Sequence, residues 1–259
     1  MPPPGNAFAI MQVTVADGPA LATTNIPAFW ANPHWRLSWR HRTLEYHISQ
    51  IALRYPRTLL RNRTTARHQK GVDTVTGEVL GYARWSIPAS HSTITSPNTT
   101  TAVVDNTDEE QGDDGLAWPE AVIPAVSAEE AIEISRVADT AVWDPDDTSD
   151  ALMDRVRETR DTTLAALTLF NHLALDYLAV HPAHQRRGIA TELVRSGMRQ
   201  AEKLGLDIFV QAMKPGVPVY QRLGFRLERE LVQDDSQYGG PGLFTDYFFV
   251  YEQPVKASS

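Results

Sequence analysis

The sequence predicts a mixed α/β fold in which helices flank a twisted sheet of six or seven strands. Residues 173–180 are nearly all apolar, as in a strand that is covered on both faces. Residues 188–204 follow with apolar side chains at three- and four-residue steps, which indicates a helix. Runs rich in β-branched and aromatic residues lie before and after this pair, so strands and helices are interspersed along the chain.

The strands are predicted from such runs and from the turn residues that end them. They cover residues 9–15, 64–70, 78–87, 173–180, 206–212, 225–232 and 243–252. The second and third strands form a hairpin, because Thr76-Gly77 supplies turn residues between them. Pro88 ends the third strand, since proline cannot donate to a sheet ladder.

Helical spacing of apolar residues predicts the remaining elements. They are one helix or two short ones within residues 35–55, and helices at 127–137, 149–171, 188–204 and 217–223. We expect the first region to end before Pro56, Ser127 to cap the next helix with Glu130 at its third position, and Gly205 to end the helix that begins at Gly188. Residues 19–33 are mixed in character and are assigned to no element.

Residues 88–148 interrupt this order, and we expect them to form an acidic insertion within a single domain that spans residues 1–259. Residues 88–128 are rich in Ser, Thr, Asp, Asn and Pro and include the acidic block Asp105–Asp114. Such a composition buries little apolar surface, so we expect this segment to be irregular and partly disordered. It either attracts a cationic acceptor or is a solvated loop.

Composition excludes several classes of protein. With 24 Lys and Arg against 32 Asp and Glu, the net charge of −8 disfavours binding of nucleic acid. There is no apolar run near the ~18 residues of a membrane span, and the N-terminus lacks the pattern of a secretory signal. The absence of cysteine excludes disulfides, thiolate metal sites and a cysteine nucleophile, and it favours a cytoplasmic location.

The junction between the strand at 173–180 and the helix that follows has the features of a pyrophosphate-binding turn. Gln185-Arg186-Arg187-Gly188-Ile189-Ala190 opens the helix. The first amides of a helix have no partner within it, and the helix dipole places partial positive charge there. Arg186 and Arg187 add two full charges, and Gly188 lets the backbone approach a ligand closely.

This segment resembles the acyl-CoA-binding motif of the GNAT superfamily of N-acetyltransferases, which reads Gln/Arg-x-x-Gly-x-Gly/Ala. Gln185, Gly188 and Ala190 match its fixed positions. A second block, Val219–Phe225, resembles the family's closing Tyr-x-x-x-Gly-Phe, and the resemblance extends over about residues 173–231. The amino-acid sequence of residues 177–225 is most similar to the fungal small-molecule branch of the family.

The resemblance implies a GNAT-like fold, acetyl-CoA as cosubstrate and a set of residues that bind it. By resemblance, the strand backbone at Leu178 and Val180 contacts the pantetheine arm, and the neighbouring Ala179 is a further candidate. The amides of Gln185, Arg186, Arg187, Gly188, Ile189 and Ala190 then hold the diphosphate. By the same resemblance, the Tyr220 hydroxyl lies near the sulfur of the cofactor and protonates the departing thiolate. The family often has an Asn before this last helix, where this chain has Lys214-Pro215-Gly216.

The residues that are candidates for contact with the acceptor match no specific motif. Asp176 is the ionisable residue of its strand, on the face shared by residues 174, 176, 178 and 180. It acts as general base, binds the acceptor ammonium, or belongs to a structural hydrogen-bond network. Five aromatic or imidazole residues are candidates for a pocket wall or for core packing: Trp30, Trp35, Trp39, His41 and Tyr46. His181 and His184 lie in the cofactor turn, and no group of His, Asp and Glu has metal-ligand spacing.

Two functions are therefore open. The first is an N-acetyltransferase that moves an acetyl group to an amine, expected to be that of a small molecule, by direct transfer in a ternary complex. The second is a non-catalytic acyl-CoA-binding or regulatory module. We expect no nucleic acid or membrane partner, and the sequence does not indicate an oligomeric state.

Overall fold

The computed structural model describes residues 7–93 and 115–253 of the chain. Seven strands form one sheet in the order β1-β2-β3-β4-β5-β7-β6. Their bounds are β1 Phe8–Gln12, β2 Ala66–Asp73, β3 Val79–Ser86, β4 His172–Val180, β5 Asp207–Met213, β6 Arg226–Asp234 and β7 Leu243–Tyr251. Strands β4 and β5 are parallel, whereas the other neighbours in the sheet pair antiparallel.

Helices cover both faces of this sheet, which confirms the predicted fold class. They are α1 Gly18–Trp30, α2 Leu44–Leu59, α3 Ala128–Asp139, α4 Asp150–Ala166, α5 Ile189–Leu204 and α6 Val217–Arg222. We call the two surfaces of the sheet the α5 face and the α1 face. Helix α5 packs on the first, and α1 packs on β3 and β4 of the second. Within the described ranges, none of the helices has the length and apolar character needed to cross a bilayer.

The main core lies between α5 and the sheet. It contains Leu173 and Leu175 of β4 together with Ile189 and Leu193 of α5, each at most 5% exposed. Helix α5 ends where predicted. Gly205 has a left-handed φ of 65°, and the amides of Gly205 and Leu206 bond the carbonyls of Glu202 and Ala201. This closure fixes the direction of α5 across the sheet.

Two predictions in the N-terminal third were wrong. Residues 18–30 form helix α1, which begins with Asp17 as N-cap and Pro19 in its first turn. Its apolar residues do not follow one clear stripe, so the spacing did not reveal it. Helix α2 does not end before Pro56 but continues to Leu59, because a proline in the last turn costs only one backbone hydrogen bond.

The expectation that residues 88–128 bury little apolar surface is wrong for part of that segment. Ala117, Trp118, Ala121, Val122 and Ile123 are all at most 5% exposed. The guanidinium of the buried Arg67 donates to the carbonyls of Ala117 and Ser92, which ties this segment to β2. The acidic block at 105–114 lies outside the described residues. Helix α3 begins as predicted, with the Ser127 hydroxyl accepting from the Glu130 amide.

Candidate active site

The central feature of the sheet is a gap between its two parallel strands. Strands β4 and β5 pair from His172↔Asp207 only as far as Leu175↔Val210. Beyond that point β4 continues to pair with β3 as far as Val180, and β5 continues to pair with β7 as far as Met213. Such an opening presents unpaired backbone N–H and C=O groups on its walls, which can bind an extended ligand as an added strand would.

The turn at the far end of β4 has an unusual backbone. Arg186 has a φ of 62° and Gly188 a φ of 86°, both in the left-handed region. Glycine adopts this conformation without strain, but Arg186 is held in it at a cost. Left-handed residues in a turn direct neighbouring N–H groups toward a common point, which is a geometry that binds anions. Space is available, because a side-chain carbon built on Gly188 meets no atom within 4 Å.

Side chains around this turn hold it in place. The Gln185 amide donates to the Val180 carbonyl at 3.3 Å. The Arg187 guanidinium lies 3.4 Å from the Asp73 carboxylate and 3.1 Å from His184 Nδ1, which links the turn to the end of β2. By contrast, Arg186 is exposed and has no hydrogen bond or ion pair with any described residue. Its charge is therefore available to a ligand at the N-terminus of α5.

The predicted pantetheine contacts lie on one wall of the gap. Leu178, Ala179 and Val180 pair with Ala83, Tyr82 and Gly81 of β3 on one side of β4, so the other edge of this strand faces the gap. Gly81 allows a close fit here, since a side-chain carbon on it would lie 3.0 Å from the Ala179 carbonyl oxygen and 3.0 Å from Ile189. The close fit of β3, β4 and the first residue of α5 thus positions both the wall and the turn.

Tyr220 lies on α6, immediately after the strand that forms the other wall of the gap. Its side chain is 4% exposed and packs against Phe225 and Phe249, at ring-centre distances of 5.5 and 5.7 Å. The hydroxyl forms no hydrogen bond with any residue in the described part of the chain. Burial raises the pKa of Tyr220 well above its usual value, so the phenol stays protonated at neutral pH.

Asp176 occupies a β-bulge, and this corrects the prediction that residues 174, 176, 178 and 180 share one face. Arg84 is opposite Tyr177, but Trp85 is opposite Leu175, so Asp176 is an extra residue in β4. The bulge reverses the alternation of the strand. Leu178 therefore packs with the α5 core, whereas Asp176 lies on the α1 face.

On the α1 face, Asp176 lines a cleft of about 280 Å³. The Ser86 hydroxyl donates to its carboxylate, and Arg84 Nε lies 4.0 Å away. His68 of β2 and Arg61, just beyond α2, line the same cleft. The sequence analysis did not identify these basic residues as site residues, because they are far from Asp176 in the chain and match no motif.

The aromatic residues of the N-terminal third form a cluster around a buried histidine. The ring of His47 is 3% exposed and lies 4.1 Å from Trp39, 5.7 Å from Trp35 and 5.9 Å from Trp30. Desolvation lowers the pKa of His47 to about 4, so the ring is neutral near pH 7. Trp39 is 5% exposed and serves mainly in core packing.

The two remaining candidates for a pocket wall lie at the rim of this cluster. His41 lies 3.5 Å from Asp144, and Tyr46 lies under the guanidinium of Arg42. Both side chains are thus engaged by charged residues. The structure brings neither of them to the gap.

A second polar group on the α1 face connects the α1–α2 loop to the end of the sheet. His34 Nδ1 lies 2.6 Å from the carboxylate of Asp235, and Asn32 donates to the sulfur of Met213 at the end of β5. Asp246 of β7 is 7% exposed and accepts from the Gln211 amide at 3.2 Å. Burial raises the pKa of Asp246. The α1–α2 loop therefore lies beside the gap.

Within residues 7–93 and 115–253, no three His, Asp or Glu side chains come together as a metal site would require. The loop between β5 and α6 is the short turn Lys214–Gly216, which has no Asn. Gly216 lies against the Tyr220 ring, since a side-chain carbon on it would be 3.1 Å from Cε2. The loop thus packs on the tyrosine.

Comparison with known proteins finds a family model that matches the segment containing this gap and turn. Residues 160–225, which include β4, the turn, α5, β5 and Tyr220, match the model of the acetyltransferase (GNAT) family. No curated protein sequence matches the chain. The matched segment contains both walls of the gap and the anion-binding geometry between them.

Solved structures of low sequence identity share the fold over nearly the whole chain. A histone acetyltransferase HPA2 and related acetyltransferase from Corynebacterium glutamicum is 14% identical, with a TM-score of 0.53, and the match covers 97% of this chain and 99% of that one. A putative arylalkylamine N-acetyltransferase 7 from the yellow fever mosquito is 12% identical, with a TM-score of 0.53 and coverage of 94% and 86%. An agmatine N-acetyltransferase mutant in its apo form is 14% identical, with a TM-score of 0.50 and coverage of 95% and 100%.

Residues 160–225 thus match the acetyltransferase (GNAT) family, and the solved structures show that the whole chain shares the fold of these acetyltransferases.

Proposed function

We propose that this protein is an N-acetyltransferase that moves the acetyl group of acetyl-CoA to an amine of a small molecule by direct transfer in a ternary complex. The observation that carries the proposal is the gap between β4 and β5, which opens after Leu175↔Val210 and leads to the left-handed turn at Arg186 and Gly188. An extended arm in the gap and a diphosphate on the turn together account for both features.

Each predicted cofactor contact has a place in this arrangement. Along the free edge of β4, the backbone groups of Leu178 and Val180 bond the amides of the pantetheine arm, and Ala179 lies between them. The amides from Gln185 to Ala190 bind the diphosphate, and the guanidinium groups of Arg186 and Arg187 add charge. The thioester then lies near the start of the gap, between the two faces of the sheet.

The transfer requires one bond to form and one to break. The neutral amine nitrogen attacks the thioester carbonyl carbon, a C–N bond forms, and the C–S bond breaks to release the thiolate of CoA. The nitrogen loses one proton and the thiolate gains one. Asp176 accepts the proton from the amine, or it binds the ammonium group before that proton is lost. Tyr220 donates a proton to the thiolate, and because burial raises the pKa of its hydroxyl, the phenol is still protonated when the thiolate forms.

The positions of Asp176 and Tyr220 support these separate roles. Asp176 faces the cleft on the α1 face, whereas Tyr220 packs in the core of the α5 face. An amine that enters from the α1 face therefore meets the carbonyl from the side opposite Tyr220. The sheet itself separates the proton acceptor from the proton donor, and the gap is where they approach each other.

The names of two structures with the same fold, an agmatine and an arylalkylamine N-acetyltransferase, support a small-molecule amine as acceptor. We assign the protein to a fungal small-molecule branch of the family on the amino-acid sequence of residues 177–225. The organisation as one domain with an acidic insertion is also part of the proposal, as is the cytoplasmic location.

The first test is release of CoA thiol in the presence of acetyl-CoA and a broad panel of amines. The chain has no cysteine, so a thiol reagent such as dithiobis-nitrobenzoate reports the product without a protein background. We expect calorimetry to show binding of acetyl-CoA and at least one amine to give thiol release above hydrolysis.

The same experiment decides against the alternative. A non-catalytic acyl-CoA-binding module would bind acetyl-CoA in the calorimeter and release no thiol with any amine. A protein that neither binds acetyl-CoA nor releases thiol would contradict both functions. Acetylated product identified by mass spectrometry would assign the transfer to nitrogen.

A further inference from the structure

The cleft on the α1 face opens beside the position where the transfer reaction is proposed to occur. Asp176 is the first residue of β4 beyond the last pair with β5, so it stands at the start of the gap and in the cleft at once. From Asp176 the cleft extends over β3 and β2 toward the end of α2. A molecule in the cleft would therefore have one end at the thioester.

The cleft carries both signs of charge at a short separation. Arg84 Nε lies 4.0 Å from Asp176 Oδ2, and the two side chains keep 35% and 34% of their surface exposed. Two opposite charges that remain partly open to solvent can each take a further partner. Arg61 is exposed at the rim, so the basic charge of the cleft exceeds its acidic charge.

A buried imidazole adds a polar atom that lacks a partner. His68 is 2% exposed, and its Nδ1 lies 2.7 Å from the hydroxyl of Tyr82. Its Nε2 is buried and has no hydrogen-bond partner. Buried polar atoms nearly always have one, so an unpaired nitrogen on a residue that lines a cleft marks a place for a polar ligand atom.

The size of the cleft limits the ligand. Its volume of about 280 Å³ lies just below the range of roughly 300–1,000 Å³ that holds drug-sized ligands. A small metabolite fits such a volume, whereas a folded peptide segment does not. The acceptor is therefore expected to be a single small molecule with polar groups at one end.

We propose that the acceptor is an amine of the α-amino acid type, whose ammonium group binds Asp176 and whose carboxylate binds Arg84. This assignment rests on the proposed function. The close Arg84–Asp176 pair complements the adjacent ammonium and carboxylate of an amino acid, with each charge facing its opposite. The remainder of the acceptor extends toward His68 and Arg61.

An amine without a carboxylate fits this cleft less well. Its ammonium would meet Asp176, but the guanidinium groups of Arg84 and Arg61 would face the rest of a cationic molecule without compensation. Like charges brought together in this way oppose binding and select against the wrong partner. The cleft thus favours the amino acid over the corresponding decarboxylated amine.

The test compares matched acceptors in the thiol-release assay with the full chain. Each L-amino acid is paired with its decarboxylated amine, for example tyrosine with tyramine, tryptophan with tryptamine and arginine with agmatine. We expect kcat/KM for at least one amino acid to exceed that of its partner about tenfold or more, as the loss of one charge-assisted pair implies.

Variants then assign this preference to the cleft. We expect Arg84→Gln to lower kcat/KM for the preferred amino acid about tenfold without lowering it for the decarboxylated amine, and to leave the Kd for acetyl-CoA unchanged. Arg61→Gln, at an exposed site where folding is not at risk, should have a smaller effect in the same direction. Arg199→Gln on the α5 face makes the same change of charge and should leave both acceptors unaffected.

The outcomes separate the two proposals. Decarboxylated amines that react as well as or better than amino acids would overturn the inference and leave the proposed function in place. An amino acid preference that survives both cleft variants, in proteins with unchanged thermal unfolding, would also overturn the assignment. Absence of thiol release with every acceptor would contradict the proposed function itself.

Discussion

Gly197 of α5 lies directly against the indole of Trp85 in β3. A side-chain carbon on Gly197 would stand 2.1 Å from Cζ2 of that ring, and Trp85 is fully buried. Since α5 begins at the turn that is proposed to bind the diphosphate, this contact sets how closely the turn approaches the sheet. The central helix is thus positioned by the absence of one side chain.

The first prediction concerns this contact. Gly197→Ala forces the helix away from Trp85, so we expect a loss of about 1–3 kcal/mol in the free energy of unfolding, as overpacked cores show. Urea denaturation measures it. Gly115→Ala is the control, because a side-chain carbon there meets no atom within 4 Å. Equal stability of the two variants would contradict the close packing.

The second prediction concerns the turn that is proposed to bind the diphosphate. Gly188→Val places a branched side chain where the backbone must adopt a φ of 86°, and we expect the Kd for acetyl-CoA to rise about tenfold or more. Gly205→Val strains the same kind of left-handed residue, with a φ of 65°, at the other end of α5.

Comparison of Gly188→Val with Gly205→Val separates the effect of backbone strain on stability from the effect on acetyl-CoA binding. Both should lose a similar free energy of unfolding, about 1–2 kcal/mol, because a side chain in the left-handed region costs that much. Calorimetry with acetyl-CoA should distinguish them. A Gly205→Val protein that loses affinity as much as Gly188→Val would show that the turn has no particular role.

The third prediction concerns Tyr220. Tyr220→Phe removes a hydroxyl that has no hydrogen-bond partner among the described residues, so we expect an intact fold and an unchanged Kd for acetyl-CoA. Turnover should fall by roughly 10²–10⁴-fold if the phenol is the general acid. Tyr251→Phe, which changes a partly buried tyrosine whose ring is tilted against that of Phe225 at 5.3 Å, serves as the control. Normal turnover in Tyr220→Phe would exclude proton donation by this residue.

The fourth prediction concerns pH and the buried His47. Desolvation lowers the pKa of His47 from 6.5 to about 4. Between these two pH values the imidazole therefore binds a proton in the unfolded chain but not in the folded chain. The stability contributed by the neutral ring is present above pH 6.5 and is lost as the pH falls toward 4. We expect His47→Phe to reduce the slope of stability against pH in this window.

Urea denaturation from pH 8 to 4 measures that slope. His68 is also shifted downward by desolvation, to a pKa of about 3, and remains in the variant, so part of the slope should persist. A wild-type protein whose stability is constant across this range would contradict the burial of both imidazoles.

Local patterns in the sequence were sufficient for the positions of the strands along the chain, for α5 and for the turn before it. Alternation, helical spacing and a few turn residues such as Gly188 and Gly205 act over short distances, so the chain reveals them directly. The GNAT resemblance came from the same short segment, residues 173–231. Helix α1 was not predicted from the sequence because its apolar residues lie on more than one face of the helix.

Only the tertiary structure decided what surrounds the proposed reaction. The bulge at Asp176 arises from the register between β3 and β4, and neither strand alone contains it. The cleft assembles Arg61, His68 and Arg84 from a loop and two strands that meet only when the sheet forms. Arg67 likewise donates to the carbonyls of Ala117 and Ser92, which are distant from it in the chain. Contacts of this kind depend on how whole elements pack, and local sequence does not encode them separately.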